Sequence, residues 1–177
     1  MAQKSFILAG FGGQGILFSG KVIAYTGLMD GKEVSWLPSY GPEMRGGTAN
    51  CSVCISDEPI GSPLVLEPDI LMAMNLQSYD KFIDTVAAGG FAVIDSTLVD
   101  KKCERTDIEV AYVPATQLAS ENNLQGLANI ILVGTILKHT AFADFEAVKK
   151  AIDKCVPASK RHLFDANMRA IELGMQY

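Results

Sequence analysis

A glycine-rich turn near the N-terminus carries the clearest chemical signal in the sequence. Gly10, Gly12 and Gly15 have the spacing G-x-G-x-x-G, and Gly13 and Gln14 lie between the last two of them. Glycines at this spacing let a strand turn tightly into a helix and leave backbone N–H groups free at the start of that helix. Such N–H groups can bind a phosphate or a carboxylate. The turn therefore predicts an anion site, unless its glycines serve only to let the helix and strand pack closely.

Two nucleotide-binding patterns that use such a turn are incomplete here. A dinucleotide site needs an acidic residue at the end of the second strand, whereas Glu33 stands near the start of the predicted second strand, which ends at Trp36. A P-loop needs a lysine directly after its glycines, and Lys21 comes six residues after Gly15. The sequence thus gives little support to NAD or ATP as the ligand.

The segment LPSYGPEMRGG at 37–47 holds more turn-forming residues than a simple loop requires. Its glycines would permit close approach of the backbone to a ligand or partner, and Pro42 would stiffen one arm. These glycines are Gly41, Gly46 and Gly47. We expect this segment to form a shaped surface.

Arg45 is the residue of this segment best suited to bind an anion. Its planar guanidinium can bind a phosphate or a carboxylate through two parallel hydrogen bonds. Alternatively, Glu43 and Arg45 pair with charges on a neighbouring subunit. Both interpretations place the segment at a functional interface.

Other reactive side chains are interpreted as structural. Cys51 and Cys54 have CxxC spacing, but there is no second CxxC and no nearby histidine to complete a metal site. Residues three apart on a strand point to opposite faces, so we interpret both cysteines as packing residues. Asp95–Ser96 stands at the carboxyl end of a predicted strand, where we favour capping over catalysis. We expect no catalytic residue and no metal ligand in this chain.

Strands and helices alternate along the chain. The hydrophobic patterns predict strands at 5–9, 32–36, 49–56, 69–74, 91–95 and 108–113. Helices are predicted at 14–29, 76–86, 114–123, 127–139, 145–155 and 160–173. This alternation indicates an α/β fold, a Rossmann-like three-layer sandwich with a mainly parallel sheet and helices on both faces.

The predicted strand at 49–56 differs from the others because its polarity alternates. Cys51, Val53 and Ile55 would share one face, which is typical of a half-exposed strand. We expect this strand to run antiparallel or to lie at an edge of the sheet.

Length and composition narrow the possible functions. The chain has 177 residues, a length that suits one domain. Its net charge is −5 and it lacks a basic cluster, so we expect no nucleic-acid partner. The apolar stretch 130–137 is too short to span a membrane, and the N-terminus lacks a signal-peptide pattern, so we expect a cytoplasmic protein. Its slightly positive mean hydropathy indicates either a fully buried parallel sheet or a surface that a partner covers.

Three segments of the sequence stand out: GFGGQG at 10–15, SYGPEMRGGTA at 39–49 and DEPIGSP at 57–63. Together they closely resemble the gamma subunit of 2-oxoacid:ferredoxin oxidoreductases. Weaker matches, LANIILVG at 127–134 and NMRA at 167–170, extend the resemblance across nearly the whole chain. The resemblance implies that 1–177 is a single pyruvate/ketoisovalerate ferredoxin oxidoreductase gamma-type domain.

The resemblance also implies a division of labour among subunits. Complexes of this family, which belong to anaerobic metabolism, decarboxylate a 2-oxoacid on thiamine diphosphate, send electrons through iron–sulfur clusters to ferredoxin and transfer the acyl group to coenzyme A. Thiamine diphosphate, Mg²⁺ and the clusters would belong to alpha, beta and ferredoxin-like delta partner subunits. The gamma subunit would contribute part of the coenzyme A site. The residues implied are Gly10, Gly12, Gly13, Gln14, Gly15, Ser39, Tyr40, Gly41, Pro42, Arg45, Gly46 and Gly47.

The chain's length makes it most similar to the 2-oxoglutarate type of gamma subunit. Pyruvate, branched-chain and indolepyruvate versions share the same motifs. Two other hypotheses remain at this stage, a stand-alone nucleotide-binding regulatory module and a purely structural subunit.

Overall fold

The computed structural model of the chain describes residues 3–40 and 48–177. Within them, six strands form one sheet: β1 (Gln3–Phe11), β2 (Glu33–Tyr40), β3 (Thr48–Ser56), β4 (Ile70–Ala73), β5 (Phe91–Asp95) and β6 (Glu109–Val113). Six α-helices accompany them: α1 (Ile16–Met29), α2 (Leu76–Phe82), α3 (Ala115–Glu121), α4 (Ala128–Thr140), α5 (Phe145–Cys155) and α6 (His162–Gly174). Short 3-10 turns at Ile83–Thr85 and Ala158–Lys160 complete the regular structure in this part of the chain.

The strands lie in the order β2-β3-β1-β4-β5-β6. β1, β4, β5 and β6 are parallel neighbours, while β3 runs antiparallel to both β1 and β2. The expected α/β sandwich with a mainly parallel sheet is therefore confirmed. The antiparallel direction predicted for residues 49–56 is confirmed too, but their alternative placement at an edge is wrong, because β2 forms that edge.

The second strand is longer than the sequence predicted. Residues 37–40, expected in the loop, continue β2 and pair with β3, where Pro38 lies opposite Cys51. Proline is tolerated there because an edge strand can turn the position of the missing N–H away from the ladder. The prolines and glycines of the 37–47 segment predicted a loop here and gave no sign of the longer strand.

The two faces of the sheet are covered unequally. On one face, residues of α1, α3, α4, α5 and α6 join the larger core. α1 lies close to β3, since a Cβ added at Gly20 would stand 2.4 Å from the Cys51 sulfur. On the other face, Tyr79 of α2 and Val65 of the 57–69 segment pack on the smaller core. No helix in residues 3–40 and 48–177 is long and apolar enough to cross a membrane.

The expected half-exposure of β3 is wrong. Cys51, Val53 and Ile55 belong to the larger core, and Cys54 is buried in the smaller core on the opposite face. Both cysteines are free thiols, and burial raises the pKa of Cys51 to about 12. The interpretation of the CxxC pair as packing residues on opposite faces is confirmed. The pattern misled because a small polar side chain can also be buried, as Ser52 is at 9% exposure.

Candidate active-site cleft

The sheet changes its winding direction between β1 and β4. β1 leads into α1 on the larger-core face, whereas β4 leads into α2 on the opposite face. Parallel strands whose following helices diverge in this way leave a crevice beyond their carboxyl ends, where α/β proteins bind ligands. The amide of Met74, directly after β4, donates to the carbonyl of Ala9 in β1 (2.9 Å) and holds the two strand ends together.

A cleft of about 360 Å³ opens at this position. One wall is the glycine turn, and the other is built by α3 and the connection into α4. The lining residues are Gly13, Gln14, Met74, Leu98, Thr116, Ala119, Ser120, Gln125, Gly126 and Ala128. These side chains are small, apolar or neutral and polar, which suits an uncharged part of a ligand.

The glycines of the turn have different structural reasons. Gly13 has φ +96° and a Cβ there would meet nothing within 4 Å, so this position needs glycine for its backbone conformation. Gly15 has φ +76°, and a Cβ would also lie 2.5 Å from Nδ2 of Asn129. At Gly10 a Cβ would lie 2.6 Å from Oε1 of Gln14. Close packing therefore explains Gly10 and contributes at Gly15.

Gln14 ties the turn to the neighbouring strand. Its Oε1 accepts a hydrogen bond from the Phe11 amide (2.6 Å), and its Nε2 donates to the Met74 carbonyl (3.1 Å). Both ends of the side-chain amide are thus engaged within the protein. Gln14 lies at the cleft, and its side-chain contacts there hold the backbone.

The first turn of α1 begins beside this cleft without a side-chain cap. Gly15 occupies the N-cap position, and the first turn contains no acidic residue. The first N–H groups of a helix have no acceptor within it, and the helix dipole makes this end positive. The beginning of α1 can therefore donate hydrogen bonds to an anion.

Asp95 acts as a cap at the end of β5. Its buried carboxylate accepts hydrogen bonds from the Thr97 amide (3.1 Å) and from the Thr116 amide (3.4 Å) and hydroxyl (2.6 Å). The capping interpretation is confirmed. Because Thr116 lines the cleft, Asp95 also fixes the position of α3 in its wall.

The structure brings only part of the predicted site together. The turn residues Gly10, Gly12, Gly13, Gln14 and Gly15 lie at the crevice, and two of them line the cleft. Ser39 and Tyr40 are the last residues of β2, which ends on the same side of the sheet as β1. Because β3 lies between them, the backbones of β2 and β1 are about 10 Å apart. The remaining predicted residues lie outside the described part of the chain: Gly41, Pro42, Glu43, Arg45, Gly46 and Gly47.

Sequence reasoning missed the opposite wall of the cleft and Asn129. Nδ2 of Asn129 donates to the Gly15 carbonyl and to the Ser19 hydroxyl, both at 2.9 Å. The rule that sites form at carboxyl ends of parallel strands could have pointed to Met74. The contact of Asn129 joins positions 114 residues apart and leaves no local pattern. In the described residues, no three His, Cys, Asp or Glu side chains are grouped to hold a metal ion.

Comparison of the sequence with known protein families identifies its relatives. Residues 5–177 match the sequence pattern of the pyruvate ferredoxin/flavodoxin oxidoreductase family. The chain belongs to this family. Among its relatives, the 2-oxoglutarate synthase subunit KorC of Methanocaldococcus jannaschii is 40% identical over 177 residues, covering 98% of this chain and 93% of its own. The ketoisovalerate oxidoreductase subunit VorA of Methanothermobacter thermautotrophicus is 39% identical over 171 residues, covering 96% of this chain. The chain spans only 35% of the length of that VorA protein.

Two solved oxidoreductase structures share the fold. The gamma subunit of a keto/oxoacid ferredoxin oxidoreductase from Geobacter sulfurreducens superimposes with a TM-score of 0.85 at 27% identity, covering 99% of this chain and 96% of its own. The second structure is a 2-oxoglutarate:ferredoxin oxidoreductase from Magnetococcus marinus with 2-oxoglutarate, coenzyme A and succinyl-CoA bound. It superimposes with a TM-score of 0.87 at 22% identity, and the match covers 99% of this chain and 31% of that chain. The resemblance to oxidoreductase gamma subunits is thereby confirmed.

Proposed function

We propose that residues 1–177 form a single gamma-type domain that works as one subunit of a 2-oxoglutarate:ferredoxin oxidoreductase. The complex would convert 2-oxoglutarate and coenzyme A to acyl-CoA and CO₂, with electrons passing to ferredoxin. The observation that supports the substrate assignment is sequence similarity. The KorC relative, which is named as a subunit of a 2-oxoglutarate synthase, is 40% identical over 98% of this chain.

The role of this chain would be to hold part of coenzyme A. The beginning of α1 supplies N–H donors for a phosphate oxygen, and the neutral cleft beside it has room for an uncharged part of the molecule. Arg45 would add a charged phosphate contact next to the end of β2. The bound coenzyme A in the Magnetococcus marinus structure, which shares this fold, supports the assignment.

Other chains would supply the oxidation chemistry. We assign thiamine diphosphate, Mg²⁺ and the iron–sulfur clusters to alpha, beta and delta partner subunits in the cytoplasm, with ferredoxin as the electron acceptor. The fusion of a domain of this kind within the longer VorA protein supports the view that it packs against other parts of an oxidoreductase.

The 57–69 segment supports a partner surface on this chain. It joins β3 to β4 without a helix or strand, and its Val65 is buried while Leu64 and Leu66 on either side are 59% and 75% exposed. A long irregular connection that displays apolar side chains is commonly functional. We propose that Leu64 and Leu66 contact a partner subunit.

Reconstitution tests the proposal. The purified chain alone should oxidise no 2-oxoacid, and adding the alpha and beta chains from the same organism should restore coenzyme A-dependent oxidation. The restored complex should prefer 2-oxoglutarate to pyruvate, 2-oxoisovalerate and indolepyruvate. Turnover by the chain alone would contradict the subunit role, and preference for another oxoacid would contradict the substrate assignment.

Two further measurements separate the alternatives. Arg45→Ala should raise the KM for coenzyme A in the reconstituted complex if Arg45 binds the ligand. A purely structural role predicts weaker assembly with the same KM. Tight binding of NAD or ATP by the isolated chain in calorimetry would instead favour a nucleotide-binding regulatory module.

A further inference from the structure

Three hydrogen-bond donors converge on the carbonyl oxygen of Gly15. Two come from α1 itself, the amide of Ser19 (3.0 Å) and its hydroxyl (3.2 Å). The third is Nδ2 of Asn129 in the first turn of α4, which also donates to the Ser19 hydroxyl. Asn129 is 2% exposed and Ser19 is fully buried, so this junction is shielded from water.

This junction connects the two walls of the cleft. The glycine turn forms one wall, and residues 125–128, directly before Asn129, contribute to the other. Gln14 makes the complementary connection from the same turn to Met74 at the end of β4. Of these two side-chain amides, Asn129 joins the two walls, whereas Gln14, which lines the cleft, joins the turn to the end of β4.

The Asn129 side chain makes its contacts at a cost to stability. Oδ1 is buried and has no hydrogen-bond partner in the described residues. A buried polar atom without a partner lowers stability, and an apolar side chain of similar size would avoid this loss. What Asn129 gains in exchange is a donor directed at the carbonyl of the N-cap residue of α1.

We propose that Asn129 is a positioning residue that sets the width of the cleft and the orientation of the N–H groups at the start of α1. It would act through Gly15 and Ser19 and would not itself contact the ligand. The identity of the ligand as coenzyme A rests on the proposed function, whereas the mechanical connection between the walls does not.

The test compares Asn129→Leu with a matched control, Asn167→Leu. Asn167 is 3% exposed and also has a buried Oδ1 without a partner in the described residues, but its Nδ2 donates within its own helix, to the Leu163 carbonyl. In the full chain, hydrogen exchange should accelerate about tenfold at the Ser19 amide and its neighbours in Asn129→Leu and stay unchanged there in the control. Asn129→Asp, which also lacks the donor, repeats the measurement if the leucine variant does not fold.

The second readout uses the reconstituted complex. Asn129→Leu should raise the KM for coenzyme A about tenfold and leave kcat within about twofold, because misplaced binding groups weaken ligand capture. An unchanged exchange rate at Ser19, or an equal KM increase in Asn167→Leu, would overturn the positioning role. If exchange accelerates but neither the Asn129 nor the Arg45 variants change the KM for coenzyme A, the connection stands and the proposed coenzyme A site fails.

Discussion

The hydroxyl of Thr116 donates a 2.6 Å hydrogen bond to Oδ2 of Asp95, and this bond attaches α3 to the carboxyl end of β5. Asp95 is fully buried and also accepts from the Thr97 and Thr116 amides. Asp95→Ala would remove the acceptor of all three partly buried hydrogen bonds, so we expect it to lower the free energy of unfolding by about 2–4 kcal/mol. Urea titration at 25 °C measures the change.

The control for this prediction is Asp100→Ala, which removes an exposed carboxylate from the same β5–β6 connection. It should change the free energy of unfolding by no more than about 0.5 kcal/mol. A similar loss in both variants would show that the Asp95 contacts contribute little.

Gly13 and Gly15 provide a matched pair in one turn. Both have positive φ, so alanine at either position should cost about 1–2 kcal/mol from backbone strain. Gly15→Ala should cost about 1–3 kcal/mol more, because its Cβ would also collide with the Asn129 amide. Urea titrations of the two variants give the difference. Equal losses would mean that Asn129 moves aside freely.

Thiol reactivity tests the packing of the cysteines. Burial raises the pKa of the Cys54 and Cys155 thiols and brings that of Cys51 to about 12, so the reactive thiolate form is suppressed at pH 8. Cys103 is only partly buried. In native protein at pH 8, a chromogenic disulfide should react rapidly with Cys103 and slowly with the other three cysteines.

The Cys103→Ser variant controls this assignment by removing the rapid phase. All four thiols of the natural chain should react in denaturant. Rapid reaction of two or more native thiols would contradict the buried environment of Cys51, Cys54 and Cys155.

The exposed leucines test the proposed partner surface. Leu66→Ser should weaken association with the alpha and beta chains at least about tenfold, because a well-buried interface leucine contributes more than 1 kcal/mol. Leu28→Ser is the matched control, since Leu28 is 50% exposed at the end of α1, outside the 57–69 segment. Titration of each variant against the partner chains, followed by sedimentation velocity, measures the affinities. Equal affinities for the two variants would exclude Leu66 from the interface.

Much of the fold could be predicted because it depends on local patterns. The helix predicted at 145–155 has those bounds in the structure, and the strand at 91–95 is also as predicted. The helix has clear amphipathic periodicity, the strand is a short continuous apolar run, and turn signals lie beside both. Residues 37–40 were missed because Pro38 and Ser39 read as loop formers, while their partner strand β3 lies further along the chain.

At the candidate site, the glycine turn was predicted from the sequence, but the structural reason for each glycine was not. Its spacing, after a buried strand and before a helix, predicted a turn at a possible anion site. The reason for each glycine was not accessible from the spacing, because Gly10 is constrained by Gln14 and Gly15 by Asn129 through contacts of side chains. The burial of Cys54 likewise depends on the smaller core, to which Val65 in the 57–69 segment also belongs.

The sequence by itself determined the order of strands and helices, the turn into α1 and the family motifs, because periodicity, glycine conformations and short-range spacing act within a few residues. Only the tertiary structure decided that β3 lies between β1 and β2, that the carboxyl ends of β1 and β4 form a crevice, and that Asn129 holds Gly15 across 114 positions. Those features come from packing two faces of one sheet. Such packing joins residues whose separation along the chain carries no information about their contact.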